Sequence, residues 1–262
     1  MTTICLHDRA RLASFFRHNP ALHAYALGDL DDFFWPHTQW YGLEVEGELR
    51  QVVLLYTQED PPVVQAITEH PQEMRTLLSL LLPLLPARVF LHLSQGLQPA
   101  LASCYSFHTP STHLKLVLRD PSALAGIKTD DVVRLTPGDA DDILAFYNHS
   151  YPGHWFQARM LETGQYFGVR RQGAWACVAG VHVYSPIQRV AALGNVVTHP
   201  KWRGQGLAAQ VCAALCQSLS ETTDTIGLNV QQDNAPALAC YQRLGFVPVG
   251  VYEELIALRK SS

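Results

Sequence analysis

The residues best suited to chemistry stand in one run, Val196-Val197-Thr198-His199-Pro200-Lys201-Trp202-Arg203-Gly204-Gln205-Gly206-Leu207-Ala208. The run passes from an apolar, strand-like segment through a glycine-containing loop into the first turn of a helix. Helix N-termini leave backbone N–H groups unpaired and carry partial positive charge, so they attract anions. Gly204 and Gly206 remove the side chains that would hold a phosphate away, and the run reads as a cradle for a diphosphate. Glycines that serve only a tight strand-to-helix turn are the plainer alternative. Two other phosphate loops do not fit: no Gly-Lys-Ser/Thr follows, and the third glycine and downstream acid of a dinucleotide fingerprint are missing.

A second segment, Leu228-Asn229-Val230-Gln231-Gln232-Asp233-Asn234-Ala235-Pro236-Ala237-Leu238-Ala239-Cys240-Tyr241-Gln242-Arg243-Leu244-Gly245-Phe246, ends a strand in polar residues and opens a short helix, with Asn234 where an N-cap belongs. Together the two segments resemble the GNAT superfamily of acyl-CoA-dependent N-acyltransferases. The first is similar to its pyrophosphate motif, with Lys201 where the family has Gln or Arg. The second is similar to its Asn-x-x-Ala-x-x-x-Tyr…Gly-Phe segment. The resemblance covers about residues 131–254.

The resemblance implies acetyl-CoA as co-substrate, and transfer of its acetyl group directly to a primary amine of a small molecule or peptide, with no metal. It implies that the backbone of Val196, Val197 and Thr198 pairs with the pantetheine arm. The amides of Arg203, Gly204, Gln205, Gly206, Leu207 and Ala208 would then hold the pyrophosphate. Asn234, with Asn229 and Ala237, would lie along the pantetheine, and Tyr241 would protonate the departing thiolate. An alkylammonium must lose a proton before it attacks, which costs about 4 to 5 kcal/mol at pH 7, so a base or water chain is expected. No acid lies between residues 164 and 198, which leaves His182 as the nearest titratable candidate, ahead of His154, Glu162 and His199. A non-catalytic acyl-CoA-binding sensor or scaffold is the alternative, and a purely structural α/β protein a third.

The elements that must position these groups fall into two halves of similar order, 1–124 and 130–262, around a Pro-, Gly- and charge-bearing stretch at 120–131. The first half predicts a helix at 7–17, strands at 40–46, 51–56 and 63–68, a helix at 71–82, a strand at 89–93, a short helix at 97–104 and a strand at 112–119. The second predicts a strand at 132–135, helical pieces at 137–148 and 156–162, strands at 165–170, 174–184 and 190–198, and a helix from 207. A strand at 225–230, a helix at 235–244 and strands at 246–249 and 252–258 complete it. The apolar 190–198 run reads as a central strand, its Gly194 marking a bulge or a close backbone approach. The fold class is α/β (α+β), with a mixed, mostly antiparallel sheet flanked by helices in two GNAT-like halves. At the place of the pyrophosphate loop the first half has no glycine, and it carries Glu69 and Glu73, so that half is read as degenerate. Within it, residues 23–35 join aromatics to Asp29, Asp31 and Asp32, which suggests recognition of a cationic amine or, more simply, a helix end with a buried aromatic face.

The chain has 262 residues, 48% of them hydrophobic and 16% charged, with 19 basic against 23 acidic side chains and a net charge of −4. That composition suits a globular protein. Without basic runs it excludes the electrostatic footprint of nucleic-acid or membrane-surface binding. Cys5, Cys104, Cys177, Cys212, Cys216 and Cys240 show no metal-site spacing and read as reduced core thiols. The N-terminal stretch has no apolar signal region, and residues 77–85 are too short to span a bilayer. A cytoplasmic monomer or homodimer is expected.

Overall fold

A computed structural model describes residues 2–260. The chain divides into two compact units, one running to Lys115 and resuming at Val249, the other spanning Leu116–Pro248. This differs from the expected 1–124 and 130–262, because the last strand pairs with the first unit. Residues 88–94 hold residues 252–258 in antiparallel register, from Tyr252 opposite Ser94 to Leu258 opposite Arg88.

The first unit contains β1 (Thr2–Leu6), α1 (Arg9–Phe16), α2 (Ala24–Gly28), β2 (Thr38–Val45), β3 (Glu48–Tyr56), β4 (Val63–Ala66), α3 (Pro71–Leu81), β5 (Arg88–Ser94) and most of β6 (Tyr105–Leu118). It also holds most of the final strand of the chain, β12 (Phe246–Arg259). Its strand order is β1-β2-β3-β4-β5-β12-β6. β1 to β4 pair antiparallel, and β4 pairs parallel to β5 across α3. Pro71 opens α3 at a position where its missing N–H costs nothing. Met74, Leu77, Leu78 and Leu81 then form one buried stripe against Leu43, Val53, Val64, Leu91 and Leu255.

The second unit repeats that order with β7 (Val133–Arg134), α4 (Ala140–Ser150), β8 (Phe167–Arg171), β9 (Ala174–Ser185), β10 (Val190–Thr198), α5 (Leu207–Ser220), β11 (Thr225–Gln231) and α6 (Ala235–Arg243). β7 to β10 are antiparallel neighbours, and β10 runs parallel to β11 across α5. The predicted stripe Leu207, Val211, Leu215 and Leu219 is buried throughout, in an alanine-rich helix that packs on β8, β9, β10 and β11. The expected helix at 137–148 is a 3₁₀ turn at Pro137–Asp139 that passes into α4, and those at 156–162 and 97–104 are 3₁₀ turns at Ala158–Thr163 and Gln98–Ala100. The two strands expected near the C-terminus are one, β12. β1 and α2 were not expected: one is a short edge strand, the other a five-residue helix, and neither is long enough to show a period.

Candidate functional site

The parallel pairing of β10 with β11 ends at Leu193 opposite Leu228, although β10 continues to Thr198 and β11 to Gln231. Val196, Val197 and Thr198 therefore face an opening on the β11 side, and half-buried Asn229 stands just past the last pair. On its other side β10 still pairs with β9, through Val197 opposite Val178 and Thr198 opposite Cys177, but its register shifts on both sides of Gly194. One irregularity passes over His182, the other over Asn195 and Val196. Asn195 sits at φ 52°, in the left-handed region that Asn tolerates. The bulge expected at Gly194 is thus one residue further on.

Gly194 answers the other expectation, close approach. A Cβ there would come within 1.9 Å of the His182 ring. Gly194→Ala should therefore push the imidazole off β10 and lower stability by about 1 to 3 kcal/mol, as overpacking does. Chemical denaturation of Gly194→Ala and of the Gly194→Ala/His182→Ala double variant checks this. The double variant should recover most of the loss, and equal loss in both would place the strain elsewhere.

Beyond β10, His199 accepts from the Lys201 N–H through Nδ1 at 3.1 Å, and its ring stacks on His149 at 5.3 Å. Lys201 donates to Gln172 at 2.9 Å and lies over the Trp202 ring. The Arg203 amide turns back to Pro200 O at 3.4 Å, and its side chain reaches Thr198 O at 3.3 Å. The amides open to a ligand consequently start at Gly204, one residue later than expected, and the Thr198 carbonyl is already engaged. Gly204 and Gly206 lie at φ 75° and 76°, with nothing within 4 Å of a Cβ at either. Glycine is required here by backbone conformation as well as by the space it leaves.

Gly206 is the N-cap of α5 and supplies no capping side chain. The first intrahelical bond runs from Gln210 N to Gly206 O at 3.2 Å, so the preceding amides of Leu207, Ala208 and Ala209 have no partner within the helix. α1 and α6, by contrast, are capped by Asp8 and Asn234. Asn234 Oδ1 accepts from Ala237 N at 3.2 Å. Tyr241 is the buried residue of α6, its ring edge-on to Phe246 at 5.9 Å.

The base candidates separate. His154 has both ring nitrogens engaged, Nε2 with Asn148 Oδ1 at 3.0 Å and Nδ1 accepting from Phe156 N at 3.2 Å, and burial lowers its pKa. His199 is a cap, and Glu162 is exposed. His182 alone stands on the irregular stretch of sheet. Cys177, Cys212 and Cys216 are buried, and burial pushes the Cys177 thiol up to about 12 and the other two higher than usual. Neutral thiols are poor nucleophiles. Cys5 is exposed, not a core residue as expected. Among the described residues no three His, Cys, Asp or Glu side chains are placed to hold a metal ion, and no helix is long and apolar enough to cross a membrane.

The corresponding place in the first unit is closed. Ser94 Oγ accepts from Thr68 N at 2.9 Å and donates to Thr68 O at 3.2 Å, bridging the ends of β4 and β5. α3 opens on Pro71 with Glu73 in its first turn, and Glu73 is engaged by Arg50 and Gln51. The acids near α2 are likewise taken up internally: Asp31 accepts from Phe33 N, Asp32 pairs with Arg9, and Asp29 accepts from Gln65. The simpler reading of residues 23–35 is the one the structure supports.

Residues 134–246 match the sequence model of the acetyltransferase (GNAT) family. They form a GNAT acetyltransferase domain. No curated protein matches the chain. Among solved structures, a Drosophila protein is similar with a TM-score of 0.71 and 17% identity, covering 98% of each chain. A tandem GNAT protein from the clavulanic acid biosynthesis pathway matches with a TM-score of 0.58 and 16% identity, covering 100% of this chain and 99% of that one. An acetyltransferase of the GNAT family from Colwellia psychrerythraea gives 0.57 and 14%, with 100% of both chains covered. At such identities these likenesses speak for the fold. Within the GNAT domain, the residues that sequence reasoning missed are Tyr147, Tyr166 and Asn195, which converge on the bulge. The one signal for them was a polar residue after glycine inside an apolar strand.

Proposed function

We propose that this protein is an N-acetyltransferase that moves the acetyl group of acetyl-CoA directly onto a primary amine of a small molecule or peptide. The observation that carries the reading is the pair of left-handed glycines that opens the N-terminus of α5, next to the end of β10 where pairing with β11 has stopped. The amides of Gly204, Gln205, Gly206, Leu207 and Ala208 would hold the diphosphate, and the free edge of β10 would take the pantetheine as an added strand, with Asn229, Asn234 and Ala237 along it. The amine nitrogen attacks the thioester carbon, His182 accepts its proton, the C–S bond breaks, and Tyr241 gives a proton to the thiolate. The first unit, closed by Ser94 and without the glycine turn, would hold no CoA in this way.

Acetyl-CoA should raise the melting temperature, since a ligand bound only by the native state stabilises it. With an amine panel, Tyr241→Phe should lower kcat at least tenfold while leaving CoA affinity within a few-fold. A non-catalytic acyl-CoA sensor is the second reading, favoured by the absence of any acid between residues 164 and 198. CoA binding without amine-dependent thiol release across the panel would establish it, and no thermal shift would end both readings.

A further inference from the structure

The first unit buries charge that its fold does not need. Lys115, on β6, is 5% exposed, and its ammonium lies over the rings of Tyr25 at 4.8 Å and Tyr252 at 5.1 Å. Asp29, just past α2, is equally buried and accepts from Gln65 Nε2 at 3.4 Å. Glu254 accepts from the Tyr252 hydroxyl, and its two oxygens lie 3.5 Å from His92 Nε2 and 3.5 Å from His113 Nε2. Apolar side chains of the same volume would hold the α1–α2 segment to the sheet without the cost of dehydrating an ammonium and a carboxylate.

A small cavity opens beside Lys115. Its polar wall is His23, Tyr25, Gln65 and Lys115, and its apolar wall includes Phe16 and Leu54, so α1, α2, β3, β4 and β6 all contribute. The free space is about 10 Å³, room for one group of the size of a water molecule. Lys115 is the one charged member of this wall. Asp29 and Glu254 stand outside it, and burial keeps His23 neutral, its pKa lowered to about 3. Burial also lowers Lys115 to about 8, although Glu254 and Asp29 act to raise it, so the two carboxylates offset only part of what the ammonium loses by leaving water. Asp29, raised to about 7 by its own burial, offsets less still as it takes up a proton.

We propose that this cavity is a binding site for a small monovalent anion, a halide ion or the carboxylate head of a small acid, held against the Lys115 ammonium between the α1–α2 segment and the sheet. An apolar wall keeps water from screening the attraction, which is strongest where the local dielectric is low. The bound anion completes the charge balance around Lys115 and ties α1 and α2 to β3, β4 and β6. The site belongs to the first unit and does not depend on the acyl-CoA reading of the second. It gives the half that lacks the glycine turn a ligand of its own.

The test follows the melting temperature at pH 6.5 and constant ionic strength while sodium gluconate, whose anion is too large for the cavity, is replaced by sodium chloride, bromide or formate. A ligand bound by the native state alone raises the transition as it saturates. Wild type should gain at least 3 °C with half-saturation in the millimolar range. A larger gain with chloride and bromide assigns the site to a free halide, and a larger gain with formate assigns it to a carboxylate head. Lys115→Met, which keeps an unbranched stem between the two tyrosine rings, should lose the gain. Lys128→Met, at an exposed position, should keep it. Asp29→Asn removes the competing negative charge and should lower the half-saturating concentration at pH 7.5 at least threefold, a result that stands even if Lys115→Met does not fold. Equal melting temperatures of wild type in all four salts overturn the proposal, as does a gain that folded Lys115→Met retains.

Discussion

Gly206→Glu is expected to lower CoA affinity at least a hundredfold while the protein remains folded. The Cβ at this position meets nothing within 4 Å, so the fold loses only what a left-handed non-glycine residue costs, on the order of 1 kcal/mol. The ligand loses far more. A carboxylate about 4 Å from a phosphate near a protein surface is opposed by about 4 kcal/mol, and it also covers the amides that open α5. Gly206→Asn separates the two effects, because Asn adopts the left-handed region with no charge. It should retain binding within about tenfold. Calorimetry with CoA on both variants checks this: equal losses would mean that bulk alone matters, and unchanged affinity in Gly206→Glu would mean that the diphosphate lies elsewhere.

Replacing Asp29 or His23 should tilt the pH dependence of stability in opposite directions, by about 3 kcal/mol between pH 6.5 and 4. Asp29 is buried and His23 half-buried in the first unit, near Lys115, whose ammonium lies over the rings of Tyr25 and Tyr252. Burial raises Asp29 to about 7, against the lowering effects of its Gln65 hydrogen bond and the Lys115 charge. Burial, with some help from Lys115, lowers His23 to about 3. Lys115 itself is lowered to about 8 by burial, offset by Glu254 and Asp29, so it stays charged throughout this window.

An acid raised in the folded state contributes stability that is full below its unfolded value near 3.8 and is lost as pH rises through about 7. A histidine lowered in the folded state contributes stability present above 6.5 and lost as pH falls through about 3. The two slopes oppose each other over nearly the same range. In Asp29→Asn the histidine acts alone, and stability relative to wild type should fall on acidification. In His23→Phe, whose new ring keeps the packing on Phe16 at 5.2 Å, it should rise. Denaturation midpoints at four pH values decide the matter, and pH-independent differences for both variants would mean that neither group titrates as its burial implies.

Much of this was legible in the chain itself. The run through Gly204 and Gly206 announced the left-handed turn that opens α5, because glycine alone adopts it freely, and the missing glycine before α3 marked the first half as lacking such a turn. The stripe of α5, the N-cap at Asn234 and the apolar central strand followed from local spacing. Where the reading slipped, the cause was contact between residues far apart in sequence. The last strand joins the first unit because β5 offers it a matching antiparallel edge, which no window along the chain can register.

The amino-acid sequence by itself determined the order of elements in each half, the glycine turn that opens α5 and the family likeness, since these depend on backbone conformation and periodicity within a few residues. Only the tertiary structure decided that β10 and β11 part after Leu193 and Leu228, that His154 and His199 are tied up while His182 lies against Gly194, and that Tyr147 and Tyr166 hold the bulge at Asn195. Each of those outcomes is a hydrogen bond or a close packing distance between separate strands and helices. A side chain's partner there is fixed by how the elements stack, not by its neighbours in the chain.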